Sequence, residues 1–441
     1  MRTLHTKFLL AAALLTTSTA LHAARFWPTS PLIQIGDDTD IFFDGSASMS
    51  LNDNLFSSEN KVSGTSLTLS PGLTLEYAKD SPLFVTASFK RSQVSYYGSG
   101  NLSRLNNSQD SIGASVFIDQ GGPLKLTLSS NYNEAARNDN LTQQGIDGKT
   151  IGETLVRQGN YTHSITADYR LTEKINANLT IANNYNRYLN PTKIRVYDLP
   201  PDNPSDYHDT YNTNSLSEIN TKSVTLNVTY QAPGDNITYG FKYSHDQNDF
   251  SPAAYFDYYT KTSTTNTVRP TAGTTDIVKS AKDFYGLTSS GKLTRSGKLS
   301  LTGSLGFSSS STSQYDGGGS KLSGLSYNIN LKHQLTDWVS HGIDLARSTA
   351  PTPNGTDSDT KTYGYTVIYS ATDSLSLNFH VSKSDVAVGT TTVATMDYNL
   401  AAVYNYNRYL NFSATLDSLK TDIGSSSYLS NSFVIQASFR Y

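Results

Sequence analysis

The chain has 441 residues, a formal net charge of −3 and no cysteine. That charge excludes the basic footprint of a nucleic-acid binder, and the missing cysteines exclude disulfide frameworks, thiolate metal sites and cysteine nucleophiles. Hydrophobic residues make up only 37% of the sequence, yet it holds 29 Tyr and 17 Phe, an aromatic content that disordered chains lack.

Arg2 and Lys7 precede an apolar run from Phe8 to Leu15, and small residues follow as far as Ala23 and Ala24. A basic start, a short apolar core and a small-residue exit read as a secretory signal peptide, cleaved after Ala23. The run is too short to cross roughly 30 Å of hydrocarbon as a helix. Residues 1–23 are therefore expected to be a leader, 24–40 a periplasmic lead-in, and 41–441 a single structural unit.

That unit alternates apolar and polar residues with period two, the mark of strands with one greasy and one wet face. Leu67, Leu69, Leu73, Leu75 and Tyr77 interleave with Thr68, Ser70, Thr74 and Glu76. Ile237, Tyr239, Phe241 and Tyr243 interleave with Thr238, Gly240, Lys242 and Ser244. About eighteen such segments begin near residues 41, 63, 83, 109, 124, 159, 175, 221, 236, 282, 298, 321, 337, 361, 374, 393, 409 and 429. Tight-turn sequences such as Lys79-Asp80-Ser81-Pro82, Gln120-Gly121-Gly122-Pro123 and Pro233-Gly234-Asp235 alternate with longer polar loops near 136–158, 188–220 and 248–280. Short turns at one end and long loops at the other mark outer-membrane barrels. The expected fold is all-β: one closed antiparallel transmembrane β-barrel of about 18 strands, with short periplasmic turns, long extracellular loops and both termini periplasmic. A soluble sandwich or propeller fits less well. The wet positions are Thr, Ser, Asn and Gly, which cannot fill a dry core. Tyr185, Tyr188, Tyr404, Tyr406 and Tyr409 sit near strand ends, as in interfacial aromatic girdles.

The final segment places Phe433, Ile435, Ala437, Phe439 and Tyr441 on one face, and Val434, Gln436, Ser438 and Arg440 on the other. It resembles the C-terminal assembly signal read by the outer-membrane barrel-assembly machinery, with Tyr in place of the commoner final Phe. Phe433, Ile435, Phe439 and Tyr441 are its candidate residues. A strand running from Phe43 into Asn52-Asp53-Asn54-Leu55-Phe56, followed by Ser70-Pro71-Gly72-Leu73, resembles the β-barrel porin 2 type of outer-membrane barrel family. The motif covers about residues 43–77. The resemblance implies the fold and the compartment, and through some members a link to exopolysaccharide or exosortase gene clusters.

No residue constellation points to catalysis. His163, His245, His333 and His341 fall on greasy faces near strand ends and His380 on a wet face, none at metal-ligand spacing. Asp202, Asp206 and Asp209, and separately Asp357 and Asp359, could offer calcium a few oxygens, but solvated loops explain them as well. No cofactor is implied. The candidate lumen charges are Glu76, Lys90, Asp119, Lys125, Asp168, Arg170, Lys242, Lys332, Asp344, Asp397, Asp417 and Arg440, joined by Asp44 and Lys292. Their signs balance, so strong ion selectivity is not expected. About eighteen strands leave an aqueous channel. The leading expectation is a porin-like passive channel for small hydrophilic solutes or saccharides, with 188–220 as first and 248–280 as second candidate constriction loop. The alternative is the outer-membrane component of an exopolysaccharide-export or surface-assembly system. A TonB-dependent transporter is disfavoured, since those carry more strands and an N-terminal plug. Expected partners are the lipid bilayer, lipopolysaccharide, the barrel-assembly machinery and the cargo.

Overall fold

The computed structural model describes residues 31–55, 61–79, 81–98, 102–139, 143–144, 150–151, 154–189, 193–197, 207–211, 217–232, 236–252, 277–294, 296–314, 319, 321–351, 357–388 and 391–441. The leader expected over 1–23 lies outside them. Eighteen wall strands form one sheet with a short lead-in strand, Ile33–Ile35. The wall runs β1 (Thr39–Asn52), β2 (Gly64–Tyr77), β3 (Leu83–Tyr97), β4 (Asn107–Asp119), β5 (Leu124–Asp139), β6 (Thr154–Arg170), β7 (Ile175–Tyr188), β8 (Ser217–Gln231) and β9 (Ile237–Pro252). It continues as β10 (Ile277–Lys292), β11 (Leu299–Gln314), β12 (Lys321–Gln334), β13 (Val339–Pro351), β14 (Asp357–Ser370), β15 (Leu375–Val388), β16 (Thr391–Asn405), β17 (Leu410–Ile423) and β18 (Ser426–Arg440). Each strand pairs antiparallel with the next. β18 returns to β1 from Asp44↔Arg440 to Asn52↔Ser432, and Phe43 and Tyr441 exchange backbone hydrogen bonds of 2.6 and 2.9 Å. The sheet is thus a closed barrel, one of the two ways a chain can satisfy its backbone in hydrocarbon.

The barrel is inside out relative to a soluble domain. Leu287 is 69% and Phe307 68% exposed, each an unfavourable contact of about 2 kcal/mol if it faced water. Cross-strand register carries this apolar face around the barrel, for example through Phe241↔Leu287, Leu287↔Leu305 and Leu305↔Tyr327. Buried residues are instead largely polar, including Asn54, Gln158, Ser308, Ser310 and Thr421. Tyr77, Tyr169, Tyr230, Tyr239, Tyr369 and Tyr404 ring the outer face near the short-turn end. Toward the loop end, Tyr132, Tyr161 and Tyr185 stack across β5–β7, with ring centroids 4.7 and 6.1 Å apart. Tyr161 and Tyr169 lie about 26 Å apart along β6, roughly 20 Å along the barrel axis at a tilt of about 40°. That matches a membrane-spanning band.

Above the upper aromatics the outer face turns charged, in pairs. Arg91–Asp110, Arg157–Glu134, Lys222–Asp249, Arg347–Asp359, Lys383–Asp385 and Lys420–Asp422 lie within 3.8 Å or closer. This ring explains where strand lengths depart from the sequence reading. β6, β8, β10 and β14 begin at residues 154, 217, 277 and 357, earlier than the alternation suggests. Their added residues place Arg157, Glu218, Lys279 and Asp359 in the outward register series. Greasy alternation ends there while the backbone ladder continues. Long strands also consume loops. At the loop end only residues 389–390 join β15 to β16, and 424–425 join β17 to β18. The two ends therefore alternate in position around the barrel, but not strictly in connection length. Part of the lead-in is structured too, since Ile33–Ile35 pairs with the start of β1.

Candidate functional site: the lumen

The inward face presents short polar side chains that bond to one another across strands. Ser129–Ser164 (2.7 Å), Thr86–Ser115 (2.6 Å) and Thr166–Thr180 (3.2 Å) are examples. Such a wall is self-satisfied and wettable. The Ser-Pro-Gly motif shows the same device. Pro71 lacks an N–H and interrupts the β2–β3 ladder between Leu69↔Gln93 and Gly72↔Lys90, and a Ser70–Ser92 hydroxyl bond of 2.8 Å bridges the gap.

By register, Glu76, Lys90, Asp119, Lys125, Asp168, Arg170, Lys242, Lys332, Asp344, Asp397, Asp417 and Arg440 all occupy the face opposite the exposed aliphatics. Two groups stand out among them. Near the short-turn end charges neutralise each other. Arg440 pairs with Glu76 and lies 3.6 Å from Asp44, while Lys125 contacts Asp119 at 2.6 Å. Across β13–β17 the carboxylates meet neutral donors. Asn330 donates to Asp344, Asn399 and Ser432 donate to Asp417, and Asp397 makes no ion pair among the described residues. Asp168 likewise accepts from Asn178 at 2.6 Å. Asp246 and Lys282, inward register partners on β9 and β10, are not legible in the sequence, because the alternation places a strand start at 282 beside a long loop.

His380 faces the lumen and bonds Thr366 at 2.8 Å. His163, His245, His333 and His341 sit on the outer face. His163 contacts Ser130 at 3.0 Å, His245 contacts Asp283 at 2.8 Å, and the last two meet at 3.2 Å. The assembly-signal residues Phe433, Ile435, Phe439 and Tyr441 share the outer face of β18 and its end, with Phe439 5.3 Å from Phe43. Gly45 makes room for that ring, since a Cβ there would lie 2.4 Å from Phe439 Cζ.

Of the candidate constriction loops, 188–220 contributes a hairpin of Lys193–Tyr197 with Tyr207–Tyr211. Its remaining connections, residues 253–276 of the second loop, and the calcium candidates Asp202 and Asp206 lie outside the described residues. Asp359 is held by Arg347. Two other features shape the loop end of the lumen. Leu102 and Leu105, on a short 3-10 turn, pack with Leu55, Val62 and Tyr96 over the inner rim of β2 and β3. The arms of the β13–β14 hairpin also fold inward. Pairing of β12 with β13 stops at Tyr327↔Arg347, although both strands continue. Thr349 Oγ1 instead bonds Ser308 Oγ on β11 at 2.7 Å.

No family model and no curated protein matches the sequence. Among solved structures, the chain is similar to the FrpB iron transporter from Neisseria meningitidis (F3-3 variant), with TM-score 0.51 and 11% identity over 86% of this chain and 62% of that chain. It is also similar to the ferric yersiniabactin uptake receptor FyuA from Yersinia pestis, with TM-score 0.50 and 10% identity over 87% of this chain and 62% of that one. The chain spans less than two thirds of the length of either. The likeness is one of fold. Together with the apolar belt and its aromatic girdles, it makes this protein an outer-membrane β-barrel in contact with the lipid bilayer.

Proposed function

We propose that the barrel is a porin-like passive channel for small hydrophilic solutes or saccharides. The observation that carries this reading is the inward face of all eighteen strands, lined by Ser, Thr, Asn and a sparse set of charges around a barrel of channel-forming size. Solutes diffuse through hydrated space, and the wall's paired hydroxyls offer weak, exchangeable contacts. The loop end faces outward and the short turns and termini lie in the periplasm. The charged ring at the loop end supports this orientation, because its cations suit the phosphates of lipopolysaccharide in the outer leaflet. The outer face of β18 is the surface offered to the barrel-assembly machinery.

Single-channel recording of the purified barrel in planar bilayers tests the proposal. Stable conductance steps are expected, with faster swelling of barrel-loaded liposomes in small sugars than in large ones. A folded barrel that is electrically silent and impermeable to sugars removes the passive-channel reading and favours a surface-assembly role.

A further inference from the structure

Resting on the channel reading, we propose that the arms of the β13–β14 hairpin form the channel's size-selecting element, a displaced piece of wall held inward by a Ser308–Thr349 latch. Below Tyr327↔Arg347, β12 and β13 form an ordinary ladder down to Gln334↔Ser340. Above it, β12 pairs only with β11, from Ser311↔Lys321 to Gly306↔Ser326. β13 pairs only with β14, from Pro351↔Asp357 to Ser348↔Thr360. Thr349 belongs to the outward series of β13, yet it is buried and touches inward residues of two other strands. Its Oγ1 bonds Ser308 Oγ on β11 at 2.7 Å, and Ser308 also bonds Ser326 on β12 at 2.6 Å. A Cβ at Gly324 on β12 would meet only Thr349 Cγ2, at 3.9 Å. The hairpin arm therefore lies over the lumen side of β12 and reaches β11, with Gly324 as its floor. It covers a niche of buried hydroxyls at Ser308, Ser326 and Thr349.

Two features make this a movable element. At its base, Arg347 grips Asp359 through two bonds of 3.0 and 3.1 Å, and β14 stays paired with β15 up to Ser358↔Val388, so the β13 edge swings together with the β14–β15 rim behind it. Its alternative position is also prepared. Continuing the register would set Ser348 opposite Ser326, and the facing backbone groups of both strands lack ladder partners in each other. Swinging outward trades a few hydroxyl bonds for ladder bonds, a near-balanced exchange that suits a two-state element. The inward state narrows the lumen and the outward state completes the wall.

The cysteine-free chain allows two disulfide staples. Ser308→Cys with Thr349→Cys locks the arm inward, and Ser326→Cys with Ser348→Cys locks it in the wall. Both are expected to form in the folded barrel. Reduction should raise the conductance of the first and lower that of the second. Thr349→Val, which keeps the shape and removes the hydroxyl, should raise open occupancy about five-fold, the effect of losing one neutral hydrogen bond. Gly324→Leu, which fills the floor, should act in the same direction. If both staples form and neither changes conductance, or if the in-wall staple never forms, the gate is overturned while the channel stands. If the wild type is silent, the channel reading fails separately. Cross-linking yields of the two staples, read by mass, then still decide whether the arm occupies both positions.

Discussion

At the closing seam, the Arg440 guanidinium stacks 4.1 Å from the Phe42 ring and reaches both Glu76 and Asp44. Arg440→Ala strands two carboxylates on the lumen wall. A loss of roughly 1–3 kcal/mol is expected, kept modest because the site is partly hydrated, and urea titration in detergent micelles with a gel-shift readout measures it. Asp53, just beyond β1, accepts 2.6 and 2.7 Å bonds from the Asn431 backbone and side chain and faces Lys61. Burial pushes its pKa up, but those bonds and the Lys61 charge outweigh burial and hold it below the usual 3.8. A depressed folded pKa stabilises above the unfolded value and loses that contribution as pH falls through the folded one. Acidification from about pH 5 to about pH 2 should therefore loosen the rim contact of β1 with β18, seen as a lower protection factor of the Asn431 amide relative to its intrinsic exchange rate at each pH, and Asp53→Asn should remove the pH dependence. Arg440's inward side is legible in the sequence, alternating with Phe439 and Tyr441. Its partner Glu76 is not, because it lies 364 positions away and only barrel closure joins them.

The edge of β4 shows how one element compensates for an interrupted ladder. β4 and β5 part at Ser111↔Asn133, and β4 continues to Asn107 paired only with β3. Glu134 accepts a 3.4 Å bond from the Asp110 amide, and Arg157 donates at 3.1 Å to the Ser108 carbonyl. The two side chains are themselves paired and stand in for the missing strand contacts. Arg157→Ala should accelerate amide exchange across residues 107–110 without affecting residues 112–118, which hydrogen-exchange mass spectrometry resolves. Uniform protection across β4 would show that the side chains carry no such role. Strand number and greasy faces are legible because lipid imposes a period of two. Strand ends are not, because the membrane's influence stops at the aromatic girdle while backbone pairing does not. Neither interrupted ladder leaves a sequence signal, since pairing between neighbours is set by the curvature of the whole wall.

For the whole molecule, the lumen's charge is distributed unevenly. Arg440 and Lys125 are neutralised near the short-turn end, while Asp344 and Asp417 on β13–β17 bond neutral donors and Asp397 makes no ion pair among the described residues. A mild cation preference is expected, read as a reversal potential in a salt gradient, and the triple Asp→Asn variant should reduce it without closing the pore. An anion-preferring wild type would contradict this assignment. Orientation is equally testable. Gly122→Cys marks an exposed short turn and Ser425→Cys an exposed loop-end connection. An impermeant maleimide added to intact cells should label only the second.

The two places where neighbouring strands part, between β4 and β5 and between β12 and β13, lie on nearly opposite sides of the cylinder. They divide the loop-end rim into two crescents, bridged among the described residues only by side chains: Glu134 and Arg157 across the first gap and the Ser308–Thr349 bond across the second. Each crescent can tilt or fray without breaking a bond in the membrane-spanning band. Thermal softening should therefore proceed in two tiers, with the crescents loosening well before the belt. Temperature rather than sequence then sets the width of the barrel's loop-end mouth, as in an iris whose blades share one fixed ring.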